Sequence, residues 1–168
     1  MEKSPLEKLR QIEEKRTSPQ SPSPNSFLAK YSPTIMSMGL SLLLYITFIE
    51  WKFSIGLLLL TLLHEVGHMV AARYYSLRVK VPIFVPFLGA YVRLEDLPRN
   101  SYIQSVVSFG GPFAGGIGAL ILLMAGYFCA DPSMKNLLLI LAWFTALINL
   151  LNLIPFMGLD GGGISFLM

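Results

Sequence analysis

Four apolar stretches constrain this sequence more than any other feature, because about 20 residues rising 1.5 Å each cross roughly 30 Å of hydrocarbon. They lie at residues 34–49, 53–73, 105–128 and 137–156. A backbone in lipid must satisfy its own polar groups, so stretches of this length read as helices. Composition agrees: the 168 residues are 54% hydrophobic and 14% charged, where soluble domains carry about 25% charged residues. Ten of the 23 charged side chains fall in the first 33 positions. The expected fold class is an all-α polytopic membrane protein with about four transmembrane helices.

Residues 1–33 read as a flexible cytosolic tail, charged over 6–16 and Ser/Pro-rich over 18–26, too polar to bury a core of its own. Residues 34–168 read as one membrane-embedded domain. A secretory signal would place its apolar core closer to the start, so no cleavage is expected. A single cysteine, Cys129, excludes a disulfide framework or a cysteine-based zinc site. The net charge of +3 calls for no nucleic-acid partner. Lys and Arg number six in the tail, one between the first two spans, five between the second and third, and one between the last two. By the positive-inside rule the tail and the middle loop are cytosolic and both hairpins face outward. The expected location is a multi-pass place in the cell's inner or plasma membrane, with the second span running toward the cytosol.

That second span contains His64-Glu65-Val66-Gly67-His68, an H-E-x-x-H pattern holding both histidines of the chain. Four residues turn a helix by about 400°, so His64 and His68 project from one face a turn apart, as two imidazoles on one zinc ion require. Glu65, one position round, is placed to accept a proton from an attacking water. Three ionisable groups in five residues of a membrane helix need a compensating partner. A divalent cation supplies one.

A catalytic zinc usually takes three protein ligands. Among the ten acidic residues, Glu2, Glu7, Glu13 and Glu14 are in the tail, Glu50 and Asp131 in the outer hairpins, and Glu95 and Asp96 in the middle loop. With Glu65 as base, Asp160 remains. It follows Pro155 and precedes Gly161, Gly162 and Gly163, residues that end a helix and let irregular backbone turn a carboxylate inward. Alone, Asp-Gly-Gly is more often a surface turn.

H-E-x-x-H in one membrane helix, followed in a later one by Asn152, Pro155, Asp160 and Gly161 in the pattern N-x-x-P-x-x-x-x-D-G, resembles the site-2 protease family of intramembrane zinc metalloproteases. The resemblance implies a three-helix core over about residues 53–165, one zinc ion per chain held by His64, His68 and Asp160, and Glu65 as catalytic base and acid. It implies cleavage of transmembrane segments of membrane proteins, in the manner of regulated intramembrane proteolysis, with the lipid bilayer as the other partner. Asn152 is a candidate donor to the substrate or the oxyanion, or else a partner of Asn149 or of a backbone carbonyl. Residues 108–116, with Gly110, Gly111, Pro112, Gly115 and Gly116, are similar to the Gly-Pro stretch of the family's middle core helix. There Gly111 and Gly115 are expected to let another backbone approach. Residues 79–97 resemble the family's membrane-associated β-like loop, whose edge could pair with an unwound substrate strand, or which could be an interfacial loop with no substrate role.

Two features depart from the pattern. Gly163 stands where a basic residue is common in the family, and the sequence stops five residues later at Met168, where relatives often continue into another helix. The alternative function is therefore a truncated or proteolytically inactive relative acting as a membrane chaperone or metal-binding scaffold. A prenyl-protein type zincin would need a glutamate ligand further on, and none occurs after Glu95. Metal transport would need polar residues along several spans.

Overall fold

The computed structural model describes residues 26–87, 89–156 and 158–164. Two units divide the chain, residues 1–30 and residues 31–168. The elements are α1 (Ser26–Phe48), α2 (Trp51–Tyr74), β1 (Ile83–Val85), β2 (Gly89–Tyr91), α3 (Ser101–Phe128), α4 (Pro132–Asn152) and α5 (Asp160–Ile164). The first four helices are long and apolar enough to cross a membrane. The all-α polytopic class read from the sequence is thus the observed one, and the β-like loop expected over residues 79–97 carries its two-stranded sheet.

Side-chain sizes are distributed for lipid, not water. The large apolar residues point out, with Trp143 75% and Leu43 69% exposed, while Ser41 and Ser54 are fully buried. Small and polar residues inside let helices approach closely where no hydrophobic force drives them together.

Helix boundaries have local causes. Glu50, Asn100 and Asp131 cap α2, α3 and α4 by accepting from the amides of Phe53 (3.0 Å), Ile103 (2.8 Å) and Met134 (2.7 Å). Pro132 then occupies the first turn of α4, where its missing N–H costs nothing. α2 closes with Ser76 at φ 58, its amide bonding Arg73 O while that of Leu77 bonds Ala72 O, the paired bonds of a Schellman end.

Four boundaries differ from the sequence reading by four residues or more; α3 begins at Ser101 rather than near 105 and α4 at Pro132 rather than near 137, directly after their caps Asn100 and Asp131. α1 begins at Ser26 rather than near 34, because the apolar Phe27, Leu28, Ala29 and Tyr31 extend it and a membrane helix tolerates the one missing N–H at Pro33. The expected tail over residues 1–25 lies outside the described residues. α4 ends at Asn152 rather than near 156, since Pro155 lacks an N–H and disfavours helix in the residue before it.

α3 is the central helix, packed on α2, α4 and α5. It crosses α2 at Gly67 and Gly110. A Cβ at Gly110 would lie 2.6 Å from Gly67 O and 2.9 Å from Ala71 Cβ, so the backbones touch only because neither residue has a side chain.

The loop after α2 is a β-hairpin. At its base the Arg78 guanidinium grips Asp96 (Nη2 to Oδ1, 2.7 Å) and holds that carboxyl down to about 2. Strands β1 and β2 pair antiparallel, Ile83 with Tyr91 and Val85 with Gly89. β1 runs along α1: Thr34 Oγ1 donates to Pro82 O (2.6 Å), and Ser37 Oγ accepts from the Phe84 amide (3.1 Å). At the turn, Phe87 packs edge-on against Tyr45 and Phe48. From Thr34 to Phe48 is about 20 Å of helix rise, so the hairpin runs beside most of the apolar length of α1. Exposed strand edges are not tolerated in hydrocarbon. Here one edge is covered by α1, and the other lines the internal cavity described next.

Candidate metal centre

The site assembles where α2, α3, α4 and α5 meet. α2 contributes His64 and Glu65, which are 7% and 4% exposed, and one turn on, His68. Beyond Pro155 the chain reverses through Gly158, at φ +100, a left-handed geometry suited to glycine. α5 then begins at Asp160. Ser105 Oγ of α3, 2.9 Å from Ser101 O in its own helix, also lies 3.2 Å from Gly163 O and 3.3 Å from Ile164 O of α5. A Cβ at Gly161 would run into the carbonyls of Leu153 and Ile154 at the end of α4. The turn expected on the surface from local sequence alone therefore folds back and delivers Asp160 to the histidines.

Asp160 Oδ2 lies 3.0 Å from His64 Nε2, Asp160 Oδ1 lies 3.2 Å from His68 Nε2, and the two Nε2 atoms are 3.1 Å apart. The outer ring nitrogens fix which atoms carry protons. His64 Nδ1 is 2.8 Å from Asn149 Oδ1, and the amide orientation is set because Asn149 Nδ2 donates to Thr145 O at 2.7 Å. His68 Nδ1 is 2.8 Å from Val107 O, which can only accept. Both Nδ1 atoms are therefore donors, and in the neutral rings both Nε2 atoms turn lone pairs toward Asp160. The Gly111 amide, 3.3 Å from His68 Nδ1, is a near neighbour and not a donor to it.

In that neutral state two lone pairs and a carboxylate converge on one point. One proton could satisfy one pair of these atoms; a divalent cation satisfies all of them. Zinc–ligand bonds of about 2.0–2.1 Å at tetrahedral angles separate ligand atoms by about 3.3 Å, close to the 3.0, 3.1 and 3.2 Å found. The chain's donor set fits a three-ligand zinc. Among the described residues, His64, His68 and Asp160 are also the one group of such side chains near enough to hold a metal.

Glu65 belongs to the same cavity of about 570 Å³, which His64, His68 and Asp160 line on one side and Ala90 and Tyr91 of β2 on the other. Its carboxylate lies against the backbone of Val92. Asn152, the last residue of α4, points Nδ2 toward His64 Nε2 at 3.4 Å. All five residues singled out from the sequence meet at this one place.

Other features were not foreseen. Asn149 pairs with His64, not with Asn152. Gly111 and Gly115 admit side chains instead of a second backbone. A Cβ at Gly111 would sit 2.6 Å from His64 Nε2, and one at Gly115 would sit 2.7 Å from Asn149 Cγ. The helix-to-helix contact belongs to Gly110, one residue and 100° away. Gly163, where the family pattern has a basic residue, packs on Ser108, and its Cβ would fall 2.9 Å from Ser108 Cβ. A larger residue there would need Ser108 to move.

Comparison with known proteins gives the same grouping. Peptidase family M50 matches residues 52–134, from the start of α2 into α4. A probable chloroplastic zinc metalloprotease of Oryza sativa subsp. indica is 30% identical over 145 residues, covering 62% of this chain and 27% of the relative. Stage IV sporulation protein FB of Bacillus subtilis is 30% identical over 114 residues, covering 67% of this chain and 38% of the relative. This chain therefore spans between a quarter and two fifths of the length of these two relatives. The solved site-2 protease from Methanocaldococcus jannaschii superposes with a TM-score of 0.58 at 25% identity, over 80% of this chain and 62% of that one. The matched family segment stops short of Asp160, and together with the fold it shows that the chain belongs to the site-2 protease family, peptidase family M50.

Proposed function

We propose that this protein is an intramembrane zinc metalloendopeptidase that cleaves transmembrane segments of membrane proteins. The observation that carries the reading is the convergence of His64 Nε2, His68 Nε2 and the Asp160 carboxylate at 3.0 to 3.2 Å, beside a buried glutamate and within a bundle of helices long and apolar enough to cross a membrane.

Zinc held by these three residues would polarise the scissile carbonyl and lower the pKa of a water from 15.7 to about 7. Glu65 takes the proton of the attacking water and returns it to the leaving amine as the peptide bond breaks. Its burial removes competing solvent. Asn152 Nδ2 is aimed at the same point and can donate to the substrate carbonyl as charge develops there. A helical substrate shields its own carbonyls, so it must unwind to react. The β2 edge along the cavity offers main-chain groups to an extended segment, while β1 is held by Thr34 and Ser37 of α1. The basic residues favour a cytosolic N-terminus, with α2 descending toward the cytosol.

The test is cleavage of a membrane-embedded reporter by purified protein in liposomes. Cleavage that a zinc chelator stops and added zinc restores is the expected result. Cleavage that persists after the metal is stripped would refute the assignment.

A further inference from the structure

We propose that Asn149 is a positioning residue that fixes the His64 ring and tautomer, and that Gly115 exists to seat its amide. This rests on the metal reading of the site. In a span of leucine, isoleucine and alanine, a buried amide must find partners, and Asn149 is 6% exposed. Its Nδ2 donates to Thr145 O one turn back (2.7 Å), which leaves Oδ1 no role except to accept from His64 Nδ1 (2.8 Å). The carbonyl that orients the amide thus selects the His64 tautomer, with Nε2 free toward Asp160 and His68.

The opposite wall is equally specific. At Gly115 a Cβ would lie 2.5 Å from Asn149 Nδ2 and 2.7 Å from its Cγ, so any side chain on α3 at that point would displace the amide. His68 gets the same service from Val107 O, a backbone group on α3. Each histidine therefore has a fixed acceptor on its outer nitrogen, one supplied by a side chain and one by the main chain. Only the first can be removed by substitution.

Ligand histidines lose about 10- to 100-fold in metal affinity when such a partner is removed. The experiment measures zinc affinity by chelator competition in the full-length protein, the visible spectrum of the cobalt-loaded form, and thermal unfolding of the metal-free form. The variants are Asn149→Ala, Asn149→Asp and Gly115→Ala. Asn149→Ala and Gly115→Ala should each weaken zinc by about 10- to 100-fold and alter the cobalt spectrum. Asn149→Asp keeps an oxygen that accepts from His64 Nδ1 and should retain zinc affinity far better than Asn149→Ala. A purely structural asparagine would lower the unfolding temperature of the metal-free form and leave affinity and spectrum unchanged. That outcome overturns the positioning role while leaving the metal site standing. A folded native protein that binds no zinc overturns the site and this role with it.

Discussion

Glu65→Gln should reduce reporter cleavage by about 10²- to 10⁴-fold, the usual worth of a positioned general base, while zinc content stays at the native level. The substitution keeps side-chain length and shape and leaves His64, His68 and Asp160 untouched. It removes only the capacity to take a proton. Glu65 is 4% exposed and lies against the Val92 backbone, so its position is held by packing as well as charge, and the amide can occupy the same space. Metal assay and cleavage assay on one preparation make the comparison. Loss of cleavage with zinc retained separates a base from a ligand. Full activity in the variant would remove Glu65 from the chemistry, and an inactive native protein that still binds zinc would favour the scaffold alternative.

Gly111→Val should abolish both zinc binding and cleavage without unfolding the helices. A Cβ at this position would come within 2.6 Å of His64 Nε2 and 2.5 Å of His68 Cε1, inside the space where the ligand atoms converge. α3 could retreat only by giving up the close backbone contact that Gly110, one residue earlier, makes with Gly67. The rings must therefore swing away and give up their bonds to Asn149 and Val107. Gly116, also on α3, has nothing within 4 Å of its would-be Cβ. Gly116→Ala should leave zinc unchanged and stabilise by up to about 1 kcal/mol, the difference in helix propensity. Zinc content and helical circular dichroism distinguish the two variants. Native zinc binding in Gly111→Val would mean that the metal lies elsewhere.

What could be read in the sequence was what depends on spacing within one helix or on scarcity. His64 and His68 face one way because four residues separate them. Asp160 emerged by elimination, since an apolar chain has few carboxylates to choose from. Contacts between helices were not legible. Asn149 looked like a neighbour of Asn152, yet the rotation of α4 against α2 sends it to His64. Its signal was present: an amide in an apolar span, one turn after Thr145, is costly unless it serves something. Gly111 differs from Gly110 only by a 100° step, which decides whether a helix or a metal ligand meets it. The placement of the hairpin along α1 depends on Thr34 and Ser37, nearly 50 residues away in sequence, satisfying its backbone.

The most direct test of this account is zinc per chain in detergent-purified protein, measured for the native sequence beside His64→Ala and Asp160→Asn. About one zinc per native chain, lost or greatly weakened in both variants, is the predicted result. A folded native chain without zinc, or variants that retain it at full affinity, would contradict the three-ligand centre on which the proposed protease rests.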